Sequence, residues 1–181
     1  MASIILFIIN MFVILCFFIS QNCDSNLKKS IVLGVELPDS FKSEEKVLSL
    51  TKQFKITNCV VFLIFVFLSV LGFFIKNPTI KTILLISIVV LAAASYMIIY
   101  GIYNKKLKAL KKSAGLDTKG DDCWIWGMFY NNPNDTNVTV TSRYGINTAF
   151  NLGNKTGKFV FWTVFIAVIV VVVFVIALLV R

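Results

Sequence analysis

Four stretches of this chain run for 19 to 22 residues without an Asp, Glu, Lys or Arg: 2–20, 56–75, 82–103 and 159–180. At about 1.5 Å of rise per residue, each makes a helix roughly 30 Å long, the thickness of a bilayer core. In lipid every backbone N–H and C=O must be bonded within the segment, so the runs predict transmembrane helices. They account for much of the 57% hydrophobic composition and the mean hydropathy of +0.83. A soluble domain is usually about 45–50% apolar. The first run lacks a charged leader and a small-residue cleavage pattern, and Leu15 precedes Cys16. It is therefore expected to remain as a span and not to leave as a signal peptide.

Basic residues set the orientation. The segments between spans one and two and between spans three and four carry six and nine Lys or Arg; the hairpin 76–81 carries two, and Arg181 stands at the C-terminus. Cytoplasmic loops carry the Lys/Arg excess, so both long loops are expected in the cytosol, with both termini outside. The organisation read from sequence is span 1–20, cytosolic loop 21–55, span 56–75, extracellular hairpin 76–81, span 82–103, basic helical extension 104–120, small β domain 121–157 and span 158–181. The fold class is a mainly α membrane protein, with four spans under a small cytosolic α+β cap.

The cap is expected to draw on both long loops. Ile31, Leu33, Val35 and Leu37 alternate like one face of a strand, and 43–54 reads as an amphipathic helix. In the other loop, strands are expected at 126–130, 138–140 and 148–152, with turn chemistry at Asn131-Asn-Pro-Asn-Asp135 and a bend at 143–147. This antiparallel meander of about 35 residues is smaller than the roughly 40-residue size at which domains usually fold unaided. It must pack on something: the first loop, the membrane surface or a partner subunit.

Candidate residues are few. Trp124, Trp126, Phe129, Tyr130 and Tyr144 form either the domain core or an exposed binding surface. Arg143 is placed to pair with Asp135 or Asp122, or to hold an anionic partner. Lys105, Lys106, Lys108, Lys111 and Lys112 lie just beyond a span, where each is attracted to anionic headgroups; they serve as a topology signal. That stretch lacks the interleaved aromatic platforms of a nucleic-acid binder. Histidine is absent, no C-x-x-C occurs, and the four uncharged runs hold no Asp, Glu, Lys or Arg. Catalysis by His, a zinc site and a polar transport path within one chain are therefore unsupported, and no cofactor or metal is expected. The three sites Asn134, Asn137 and Asn154 match the N-glycosylation pattern, but on the side opposite the one that reads it.

The stretch Trp124-Ile-Trp-Gly-Met-Phe-Tyr-Asn-Asn-Pro-Asn-Asp135, with Arg143-Tyr-Gly145 and Asn151, resembles a bacterial domain of unknown function. Its pattern reads W-x-x-G-x-F-Y-x-N-P-x-D, then R-[FY]-G and a closing Asn. The likeness covers about 35 residues, and Ile146-Asn147 stands where that family often has Gly-Trp. Leu33-Gly-Val-Glu-Leu-Pro38 is similar to a loop of SdpI-like toxin-immunity proteins, with Glu36 in place of the usual Arg. These resemblances imply a bacterial plasma-membrane location and no known activity. The expected function is a non-enzymatic protein acting through contacts with a protein partner, as an accessory, sensor or immunity-type factor, with homo-oligomers possible. The other reading is a subunit of a small transporter or channel.

Overall fold

A computed structural model of the protein describes residues 2–22, 30–143 and 148–180. The chain forms two compact units, one from 1–25 and 43–103 and the other from 26–42 and 104–181.

The first unit packs three long helices: α1 (Ala2–Asn22), α3 (Glu45–Phe73) and the larger part of α4 (Pro78–Ser113). Each is long and apolar enough to cross a membrane. Their core is Ile14, Phe65, Leu85, Ile88, Ala92 and Tyr96. Ala92 is fully buried there, a small side chain that lets the neighbouring helix approach closely. A polar clasp crosses this core: Asn10 Nδ2 donates to the Leu85 carbonyl at 2.6 Å, and Ser69 Oγ donates to Asn10 Oδ1 at 2.8 Å. In a membrane such bonds are worth about 1 kcal/mol each. Asn77 caps α4, its Oδ1 accepting from Ile80 N at 3.1 Å, and Pro78 takes the first helical position, where no N–H is needed.

Two helices run past their apolar stretches. The separate helix read at 43–54 is the first part of α3, an unbroken 29-residue helix. No Gly or Pro interrupts it before Gly72. This helix lies in the bundle unit and not in the cap, which corrects that part of the expected fold. The third run continues to Ser113, as its lysine-rich sequence predicts.

The second unit begins with β1 (Ile31–Val32) and β2 (Val35–Glu36), which pair antiparallel across Leu33-Gly34, followed by the short α2 (Asp39–Lys42). The single alternating strand expected here is thus a hairpin. After α4 come α5 (Lys119–Asp122) and the hairpin of β3 (Trp124–Ile125) with β4 (Phe129–Tyr130). A second hairpin pairs β5 (Thr139–Thr141) with β6 (Thr148–Phe150), and α6 (Lys155–Val180) follows. The expected strand at 126–130 is broken because Trp126 and Gly127 both adopt positive φ, 52° and 71°. Met128 N closes that turn on the Ile125 carbonyl at 3.1 Å. In place of a three-stranded meander there are two hairpins, joined by a parallel bridge between Tyr130 and Asn151. The bend expected at 143–147 lies, apart from Arg143, outside the described residues.

Leu33 (φ 46°) and Gly34 (φ 73°) form the same kind of turn as Trp126 and Gly127. This mirror-image geometry matches the twist of a hairpin, and Asn-Gly or Asp-Gly usually supplies it. A bulky residue in the left-handed region costs about 1–2 kcal/mol. The two turns pack glycine against glycine: a Cβ added to Gly127 would stand 2.5 Å from Gly34 Cα. Gly115 also has positive φ, but a Cβ there meets nothing within 4 Å. Gly115→Ala should therefore cost about 1–2 kcal/mol, from the backbone alone. Gly127→Ala should cost about 3 kcal/mol or more, since backbone must also move. Denaturant unfolding of both variants in detergent measures the difference; equal losses would mean that the turns are not in contact.

Candidate functional site

The second unit is organised around one carboxylate. Asp121 is 1% exposed. Its Oδ2 accepts from Lys111 Nζ at 2.6 Å, and its Oδ1 accepts from Arg143 Nη1 and from the Glu36 N–H at 3.1 Å. Arg143 also donates to the Gly34 carbonyl at 2.6 Å and the Gly120 carbonyl at 2.7 Å, and its guanidinium lies 5.4 Å from the Trp124 ring centre. Lys108 Nζ donates to the carbonyls of Asp121 at 2.6 Å and Trp124 at 2.7 Å. Asn104 Nδ2 donates to the Leu33 carbonyl at 2.7 Å. Three cations thus surround one carboxylate, and backbone carbonyls take up the remaining donors.

Helical spacing sets this geometry. Asn104, Leu107, Lys108 and Lys111 lie at i, i+3, i+4 and i+7 on α4, one face of the helix. Leu107 and Asn104 are buried, as is Lys111. Lys105, Lys106 and Lys112 are on the opposite, exposed face. The five lysines read together as surface residues therefore divide: three remain exposed, and Lys108 and Lys111 turn inward. Arg143 pairs with Asp121, not with Asp135 or Asp122. Asp122 is exposed while its neighbour is buried, because α5 turns only one of the two inward.

Electrostatics follow from the contacts. Burial opposes ionisation of Asp121, but the hydrogen bonds from Lys111, Arg143 and the Glu36 N–H, with the charge of Arg143, outweigh it and hold the carboxyl below its ordinary value. Burial pushes the Lys108 ammonium below its ordinary value, against the attraction of Asp121.

A second knot closes the turn after β4. Asn151 is fully buried. Its Nδ2 donates to the carbonyls of Asn132, Asp135 and Asn137 at 3.0–3.2 Å, and its Oδ1 accepts from Asn132 N and Gly153 N at 3.0 Å. Tyr130 donates its hydroxyl to Asp135 Oδ2 at 3.0 Å. The Asn137 N–H and the Tyr130 hydroxyl hold the Asp135 carboxyl below its ordinary value. Asn154 then caps α6, its Oδ1 accepting from Thr156 N at 2.9 Å.

Comparison of the chain with family models, curated proteins and solved structures finds no match.

The aromatic candidates fall into three settings. Trp124 is buried beneath Arg143 and meets the Tyr130 ring at 5.1 Å. Phe129 is half-buried against Phe161 of α6 at 6.1 Å. Trp126 is half-buried in its turn, and Tyr144 lies outside the described residues. Asp121 and Asn151 were not singled out from sequence; the signals were the inward stripe of the lysine helix and the Asn that closes the quoted pattern.

Asp121→Asn leaves two buried cations facing a neutral amide, an imbalance of about 3–5 kcal/mol. The lowered pKa of Asp121 fixes the sign of the pH effect. The stabilisation is complete above the unfolded value of about 4 and is lost as pH falls through the lower folded value. Stability should be flat from neutral pH down to about pH 5 and fall steeply below about pH 4. Asp121→Asn should have a shallower acid limb, the remainder coming from Asp135. Protease protection of the second unit across this range tests both points; an unchanged acid limb would remove Asp121 from the account.

Proposed function

We propose that the chain is a four-span protein of the bacterial plasma membrane that works through protein contacts, its second unit presenting a rigid recognition surface to the cytosol. The observation that carries this reading is the engagement of the unit's buried ionisable groups. The Asp121 carboxylate bonds Lys111 and Arg143, and Lys108 and Arg143 bond backbone carbonyls. They hold two distant chain segments together, and each of these ionisable groups is committed to a structural bond. Further support comes from α6, which continues as helix along the fourth uncharged run, and from the basic excess in both long loops. The resemblance to a bacterial domain of unknown function supports the bacterial plasma membrane as the compartment.

The transporter-subunit reading keeps one specific observation in its favour. Asn58 of α3 is fully buried in the bundle, and neither of its side-chain polar atoms has a hydrogen-bond partner among the described residues. Unpaired polar groups within spans mark ion or substrate paths.

Purification in mild detergent under the first reading recovers a partner at fixed stoichiometry, and Arg143→Ala loses it. Flux through vesicles containing only this protein would instead select the second reading. A periplasm-active reporter fused after Arg181 should be active; activity of a cytosol-only reporter there would reverse the topology.

A further inference from the structure

The two hairpin turns place apolar side chains where turn chemistry favours Asn or Asp. Leu33 and Trp126 occupy the left-handed first position of each turn, and Ile125, beside Trp126, is 41% exposed. Their position is fixed twice within the second unit. Asn104 donates to Leu33, and its Nδ2 lies 2.9 Å from where a Gly127 Cβ would stand. Asn104 is the first residue after the uncharged run 82–103. Phe129 of the β3–β4 hairpin touches Phe161, the third residue of the run 159–180. The second contact sets the β3–β4 hairpin at the start of the run carried by α6.

Charged groups flank both apolar runs, with exposed Lys112 and Lys119 further along the chain among the acids. Exposed Lys105 and Lys106 follow one run, and exposed Lys155 and Lys158 precede the other. Phe159 and Trp162 are exposed just inside that second run. The acidic groups gather further out: Glu36, Asp39 and Asp117 line a cleft with Lys111, about 10 Å along α4 from Asn104. Lysines at the phosphate level with Trp and apolar residues just below them are the pattern of a membrane interface.

We propose that the turns Leu33-Gly34 and Trp126-Gly127, with Ile125, sit in the headgroup layer of the bilayer and anchor the second unit flat on the membrane. This rests on the reading of α4 and α6 as spans. The occupant of this apolar surface is lipid, recognised by its apolar–polar boundary and its anionic charge.

The three tryptophans provide the test. The full-length chain is placed in vesicles of phosphatidylcholine and phosphatidylglycerol brominated either near the glycerol end or near the terminal methyl of the acyl chain. In W124F/W162F, only Trp126 emits. The shallow label should quench it about twofold and the deep label little, as for an interfacial ring. In W124F/W126F, Trp162 reports the span itself. Quenching of Trp162 without quenching of Trp126 overturns the anchor and leaves the spans standing, whether a protein partner, a second copy or water covers the turns. Quenching of neither removes the α6 span and the anchor with it. If loss of Trp124 disturbs folding, the emission difference between W162F and W126F/W162F isolates Trp126 with Trp124 retained.

Discussion

The contact between Asp121 and its three basic neighbours decides how the second unit is built. Isolated, none of its pieces would hold: the hairpins have strands of two or three residues, and α2 and α5 have four. A two-stranded hairpin is marginal in water. The carboxylate draws together residues 85, 10 and 22 positions away in sequence. Charges taken out of water are costly unless paired, so the segments reach a low-energy state only when all partners arrive together. The network therefore specifies one arrangement more than it adds net stability.

The turns depend on the same network. Leu33 and Trp126 sit in backbone conformations that their side chains disfavour. Carbonyls in or flanking those turns accept from Asn104, Arg143 and Lys108. Such strain persists where the surroundings over-determine it. The glycines are what allow the turns to touch, since only a residue without Cβ fits at the contact between Gly34 and Gly127.

Where one physical rule dominates, the sequence could be read. Three of the four uncharged runs form helices long and apolar enough to span a membrane, because backbone satisfaction in lipid leaves no alternative. The extension of α4 was also legible, since nothing between Tyr103 and Ser113 breaks a helix. The turns were not. Rules for hairpins look for Asn-Gly or Asp-Gly, and Leu33-Gly34 and Trp126-Gly127 carry apolar residues that read as strand interior. The choice of Asp121 over Asp122 was hidden for another reason. Adjacent acids are equivalent in composition, and only the direction of the short α5 distinguishes them. The lysine helix was misread as uniformly exposed because charge suggested a surface, whereas spacing placed Lys108 and Lys111 on the face of Leu107.

The excess of cations in this core has a consequence for the backbone around it. One carboxylate cannot neutralise Lys108, Lys111 and Arg143, so carbonyl oxygens of Gly34, Gly120, Asp121 and Trp124 complete their coordination. Those oxygens point inward and are removed from solvent competition, and the side chains beside them, Leu33 and Ile125, are left at or near the surface. The same interior buries Ile31, Val35, Leu37, Phe41, Leu107 and Trp124, so the charges are held inside an apolar shell, where low polarity strengthens each bond and raises the cost of any unpaired donor.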